Sequence, residues 1–280
     1  MSYYKILGLE EEPFSTSPDP SFFYESREHR EALLRLEIAI KLRRGLSLIL
    51  GDVGNGKTTL ARKLFARLGD DSRYLFGMVL DPGAESELDF ILSLTDVYDI
   101  HPAERSVAAC KKALERFLHQ KGLEEGKTVV LLVDEAQKLS QGAIEVLRTL
   151  LNYETNKFKL LQLVLLSQME LLPRVREIRN FWERIALKYV INPLNLEETH
   201  KMIQYRLRRG GYKQEGPLFT AEAVEEIHSY TQGCPRRITM LCHDALEILV
   251  IRNKTAVDRE ITQELIAEDS RIGYGQFERI

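Results

Sequence analysis

Only three cysteines occur in 280 residues, Cys110, Cys234 and Cys242, and they form no C-x-x-C pair. That scarcity excludes a disulfide framework. The adjacent Cys242-His243 is a single pair rather than a ligand set, so the thiols read as reduced and buried. No run of about 18 apolar residues is present, so a membrane-spanning segment is not expected. The N-terminus lacks the charged-then-apolar pattern of a secretory leader, and the expected location is the cytoplasm. Neither sign of charge dominates: 42 Asp and Glu face 39 Lys and Arg, a formal net charge of −3. A field that weak gives no general reason to expect nucleic acid or an acidic membrane, although it leaves room for a local basic face. Internal repeats and low-complexity tracts are also missing. What remains is an ordinary globular composition, 44% hydrophobic and 29% charged, long enough for two domains.

Against that plain background one segment stands out. Gly51-Asp52-Val53-Gly54-Asn55-Gly56-Lys57-Thr58 reads G-x-x-x-x-G-K-T, the Walker A phosphate loop, with every fixed position filled. Leu46 to Leu50 before it is a short apolar run that predicts a buried strand, and Thr59 to Leu68 after it has helical spacing. Glycines let successive backbone N–H groups turn toward an anion, and the following helix N-terminus adds partial positive charge. Lys57 supplies a mobile charge for the β- and γ-phosphates. The Thr58 hydroxyl suits Mg2+ bridging them, so the cofactors expected are ATP and Mg2+.

Further strands are predicted at 74–80, 128–133, 160–166 and 187–191. Helices are predicted at 27–43, 86–94, 105–121, 141–153 and 170–178. Apolar strands alternating with helices indicate a parallel sheet covered on both faces. Beyond Pro193 only helical patterns follow, at 197–209, 221–231, 236–252 and 259–268. The expected organisation is therefore a Pro- and aromatic-rich segment 1–26 packed on the core, an α/β nucleotide-binding core 27–193, and a helical lid 194–280 with a short tail.

Leu131-Leu132-Val133-Asp134-Glu135 is a strand ending in two carboxylates, the Walker B pattern. Asp134 would hold magnesium and Glu135 would accept a proton from, or orient, the attacking water. Ser167-Gln168 ends the fourth strand; Gln168 has the reach and both donor and acceptor groups to meet the γ-phosphate or the water, the alternative being a polar strand end. Arg184, before the fifth strand, suits an arginine finger acting on a neighbouring subunit, with Arg174, Arg176 and Arg179 as competitors. Pro235 in Gly233-Cys234-Pro235-Arg236-Arg237 starts a lid helix, and Arg236 could reach back to the γ-phosphate.

Assembled, these residues resemble the AAA+ ATPases of the ExeA/GspA-like group, associated with general secretion and pili and related to the transposition ATPases of the MuB, TniB and TnsC type. The resemblance runs from Tyr4, Gly8-Leu9, Pro13-Phe14 and Pro18-Asp19-Pro20 through Gly51 to Thr59, Asp134-Glu135-Ala136-Gln137 and Gln168 to Leu171. It continues through Arg184-Ile185, Pro193-Leu194, Glu197-Glu198-Thr199 and Gly233 to Arg236, to about residue 268. It implies an α/β P-loop fold with a five-stranded parallel sheet and a helical lid. It also implies an oligomerising ATPase, in ring or filament form, that couples ATP hydrolysis to remodelling or assembly of a partner. Gly51 to Thr59 and Arg236 would bind nucleotide. Family members commonly have Gly-Gln-Pro-Glu-Leu after the fourth strand, where this chain has Ser167 and Met169. Larger relatives carry a transmembrane helix and a wall-binding part, which the resemblance does not extend to here, so a membrane or secretion partner protein is expected instead. The alternative is an ATP-dependent regulator binding double-stranded DNA beside a transposase. Arg35, Lys41, Arg43, Arg44, Arg206, Arg208 and Arg209 would be its phosphate contacts. A metabolic P-loop kinase fits Glu135, Arg184 and the lid poorly.

Overall fold

A computed structural model describes residues 2–15, 19–214 and 216–272. Pro18 and the expected C-terminal tail 273–280 lie outside the described residues. In chain order the elements are α1 (Tyr3–Ile6), α2 (Arg27–Lys41), β1 (Leu46–Leu50), α3 (Lys57–Leu68), β2 (Tyr74–Val79), α4 (Glu87–Val97) and α5 (Val107–His119). Then come β3 (Thr128–Val133), α6 (Gln141–Leu150), β4 (Leu161–Ser167), α7 (Leu171–Glu177), α8 (Arg179–Trp182) and β5 (Ile185–Val190). Four helices close the series: α9 (Leu196–Arg209), α10 (Ala221–Thr231), α11 (Pro235–Ile251) and α12 (Arg259–Ile272). They form two compact units, Arg27–Val53 with Lys57–Asn192, and the described residues of Met1–Ser26, Gly54–Gly56 and Pro193–Ile280.

The first unit is built on a parallel sheet of order β2-β3-β4-β1-β5. Position in that order sets the burial pattern. Every residue of the inner strands β1, β3 and β4 is buried, whereas the edge strand β5 alternates between covered and open. Alternate residues feed opposite faces, as a period of two requires. Leu48, Leu131 and Leu163 meet α4, α5 and α6 on one side, and Ile49, Val130 and Val164 meet α2 and α3 on the other. Helix starts are fixed locally: the Ser86 and Ser140 side chains accept from the Asp89 and Ala143 backbone N–H groups at 3.1 Å each. The single helix expected at 170–178 is two, because Ile178 leaves the helical region (φ −91°, ψ 78°) between α7 and α8.

The second unit is helical. Asn195 and Glu198 make a reciprocal capping box at the start of α9, and Pro235 opens α11 where its missing N–H is harmless. Composition alone places the N-terminal segment on the α/β core; the structure groups it with the helices instead. Phe14 is fully buried beside Phe219 (ring centroids 5.9 Å) in the core formed with Leu207, Ile227 and Leu246. Tyr3 Oη lies 3.0 Å from His243 Nδ1, and the Glu10 N–H donates to the Gly210 carbonyl. Aromatics without a repeating pattern carry no sign of which surface they cover, which is why the residues alone misplace them. Cys110 and Cys242 are buried, and burial pushes both thiols up, so they behave as small apolar groups.

Gly233 is the tightest glycine of this unit. Its φ is +73°, and a Cβ there would stand 1.9 Å from the Leu194 carbonyl oxygen. The Gly233 carbonyl in turn accepts from the Leu194 N–H at 2.9 Å, so the two strands of chain cannot separate without losing that bond. Gly233→Ala is expected to destabilise the helical unit by roughly 2 kcal/mol or more, from the left-handed backbone and the overlap together. Thermal or denaturant unfolding checks this; an unchanged transition means that the chain beside Leu194 gives way freely.

Candidate phosphate-binding site

β1 ends at Leu50 in the middle of the sheet, and the loop that follows turns back through Gly54 and Gly56, at φ +83° and +84°. Residues with a Cβ adopt that conformation reluctantly, so both glycines are needed where they stand. Asn55 between them is buried, while Asp52 and Val53 are exposed. Lys57 is 6% exposed at the start of α3, with Nζ donating to the carbonyls of Gly51 (2.8 Å) and Asp52 (3.0 Å). Thr58 and Thr59 follow in the first turn, half-buried.

Thr58 Oγ donates to Asp134 Oδ2 at 2.5 Å, the short distance typical of a hydroxyl on a carboxylate. Asp134 is buried at the end of β3, and its other oxygen accepts from the Glu135 N–H at 2.9 Å. The Walker A hydroxyl and the Walker B acid are thus brought together across the intervening strand β4. A hydroxyl and a carboxylate side by side beside a loop of glycines form an all-oxygen donor set of the kind Mg2+ takes. Glu135 adopts the left-handed conformation (φ 49°, ψ 38°) and opens the 3-10 turn Ala136–Lys138. Lys138 pairs with Asp81 beyond β2 at 3.0 Å, and that bond holds the Asp81 carboxyl below its ordinary range.

Ser167 is fully buried at the end of β4, and its carbonyl accepts from the Gly51 N–H at 3.1 Å, joining the strand end to the root of the phosphate loop. Gln168 is half-buried next to it. Arg184 lies before β5 with Nη1 donating to the Arg148 carbonyl at 3.1 Å, which seats it on α6. Its competitors are committed elsewhere. Arg174 donates to the carbonyls of Gln137 (2.7 Å) and Leu139, Arg176 stacks on Trp182, and Arg179 pairs with Glu183. Arg236 stands in the first turn of α11. The loop tip Gly54–Gly56 groups with that unit, and a Cβ at Gly54 would meet Arg236 Cβ at 2.8 Å.

The sequence reading offers Arg174 only as a competitor for the finger and gives Gln137 no role; the structure puts both on the turn after β3. The basic residues offered for duplex phosphates also change standing. Arg43 is turned inward, donating to Thr128 Oγ1 and the carbonyls of Gly122, Gly126 and Lys127, over the Phe158 ring. Arg206 is bound to the Phe22 carbonyl and Thr239 Oγ1, and burial lowers its pKa. Arg35 and Lys41 pair with Glu31 and Glu37 along α2. Arg44, Arg208 and Arg209 are left as exposed cations of that set.

A phosphate loop after the penultimate strand of a parallel sheet, with two acids at the end of β3, defines a P-loop NTPase. Residues 40–175 match the family model described as an AAA domain. The chain is also similar to a GspA protein. It is 35% identical over 246 residues to the general secretion pathway protein A of Aeromonas hydrophila, covering 87% of this chain and 44% of that protein. The chain therefore spans less than half the length of that relative. Among solved structures it is similar to Cdc6p of Pyrobaculum aerophilum (TM-score 0.66, 16% identity, 93% of this chain and 73% of that one). It is also similar to the Aeropyrum pernix ORC2 protein in its ADPNP-ADP complexes (TM-score 0.63, 16% identity, 87% and 68%). At such identities these two show the shared fold. Among the described residues no helix is long and apolar enough to cross a membrane.

Proposed function

We propose that this chain binds MgATP and hydrolyses it when protomers assemble, coupling hydrolysis to the remodelling or assembly of a partner. The setting we favour is cytoplasmic and linked to secretion or pili; of these, secretion is what the relative's name carries. The observation that carries the reading is the 2.5 Å bond from Thr58 Oγ to Asp134 Oδ2, with Glu135 as the next residue. It supports reading Thr58 and Asp134 as the metal-holding pair and Glu135 as the proton acceptor beside them, at the carboxyl ends of the strands, where ligands bind in such sheets.

Each group then has a role. The N–H groups of Gly54 to Thr58 bind the phosphates, and Lys57 adds a compact positive charge. Thr58 and Asp134 would hold Mg2+, which when bound neutralises charge on the phosphate oxygens. Glu135 orients the attacking water and accepts its proton, with Gln168 at the neighbouring strand end to fix water or γ-phosphate. Arg184 serves as the cation offered to the next protomer's phosphate. Its seat on the Arg148 carbonyl is a single hydrogen bond, light enough to exchange for a phosphate.

Specific ATPase activity is expected to rise with protein concentration, because hydrolysis needs two protomers. Arg184→Ala should leave nucleotide affinity within about threefold of wild type while lowering turnover 10³-fold or more, the scale of an arginine finger. Flat specific activity, or full turnover by the variant, removes Arg184 from the role. A nucleotide-dependent DNA titration against salt runs beside it: steep salt dependence would favour the DNA regulator, and no binding at low salt would exclude it.

A further inference from the structure

Glu135 enters the site from a fixed backbone but a soft side chain. Its N–H is held by Asp134 Oδ1, and the left-handed φ sets where its Cβ starts. The carboxylate beyond is met by Gln137, whose Nε2 donates to Glu135 Oε2 at 2.5 Å. The orientation of that amide follows from chemistry. The Gln168 backbone N–H can only donate, and it points at the other end of the Gln137 amide at 3.1 Å, so that end must be the carbonyl oxygen. Ser167 Oγ lies 3.2 Å from the same oxygen. The NH2 group is thereby turned toward Glu135 and has no alternative flip.

Four further hydrogen bonds make this more than a turn-stabilising bond. Arg174 holds the main chain of the turn through the Gln137 and Leu139 carbonyls, independently of the Gln137 side chain. The Lys138 N–H closes the turn on the Glu135 carbonyl at 2.9 Å. The strand end that Gln137 grips is itself bonded to the phosphate loop, from Gly51 N–H to Ser167 carbonyl. A continuous path of hydrogen bonds thus runs from loop root to strand end to amide to carboxylate.

Resting on the reading of Glu135 as the group that activates water, we propose that Gln137 is a positioning residue, tying the Glu135 carboxylate to the end of β4. The strand end that faces the γ-phosphate thereby sets the direction in which Glu135 points. Gln137 acts on orientation and not on nucleotide binding, since it touches neither the loop nor Thr58 or Asp134.

Gln137→Met keeps the length and removes all three side-chain hydrogen bonds. MgATP affinity should stay within about threefold of wild type while the single-turnover rate falls roughly 10- to 100-fold, part of what a positioned base contributes. The same substitution placed on Glu135→Gln should change the residual rate by less than about twofold, because its target is already gone. An equal fold-loss in both backgrounds would mark a merely structural residue and overturn the proposal, as would a wild-type rate in the single variant. Gln137→Glu is measured in parallel and decides the matter if Gln137→Met unfolds. It keeps the acceptor for Gln168 and Ser167, removes the donor to Glu135 and sets a second carboxylate against it, which pushes Glu135 off that direction, so a reduced rate with an unchanged melting temperature supports the role, and a wild-type rate overturns it. A wild-type protein that leaves MgATP intact overturns the functional reading as well. Active wild type with an unaffected Gln137→Met overturns this inference alone.

Discussion

Lys57→Ala is expected to lose MgATP affinity by a factor of 100 or more. The ammonium is almost fully buried at the start of α3, and the Gly51 and Asp52 carbonyls aim it along the loop. A charge-assisted bond from such a site contributes about 1.5–3 kcal/mol, and the point charge on the phosphates adds to it. The readout is thermal. At MgATP 100-fold above its Kd, wild type should gain about 2.7 kcal/mol of stability, whereas the variant at the same concentration should gain almost none. Alanine is a good helix former at the first position of α3, so the protein without nucleotide should unfold close to wild type. A preserved nucleotide-dependent shift would show that the triphosphate sits elsewhere.

Glu135→Gln should separate binding from turnover. The amide has the shape of the carboxylate and leaves the Thr58–Asp134 pair untouched, so the metal-holding set and the loop remain. What disappears is the proton acceptor, whose removal lowers the rate by roughly 10²–10⁴. The expected outcome is an assembly that forms with MgATP and persists, seen as a stable high-mass species by light scattering while phosphate release nearly stops. Turnover close to wild type would move the base to another group.

How much of this was readable in the residues divides along a physical line. The turn of the glycine loop and the placing of Asp134 and Glu135 at a strand end were legible because each lies within a few contiguous residues. The sheet was legible because strands buried on both faces leave unbroken apolar runs. Arg43 was not. As a surface cation two residues past a helix it looked available for phosphates, but its guanidinium satisfies carbonyls at the head of β3, far away in sequence. The contacts of Gln137 and Arg174 escaped for the same reason, since each acts on a neighbour that only the folded sheet supplies. Segment 1–26 was readable as aromatic and irregular, yet nothing in its spacing named the helices that Phe14 would complete.

The strand order has a last consequence. β4 lies between β3 and β1, so its tip separates the acid from the loop even though their side chains meet above it. Ser167 ends that intervening strand and Gln168 follows it. Under the proposed reading, that tip is the part of the sheet left to tell a triphosphate from a diphosphate, and grafting a different β4 end is expected to alter that choice while both motifs stay intact.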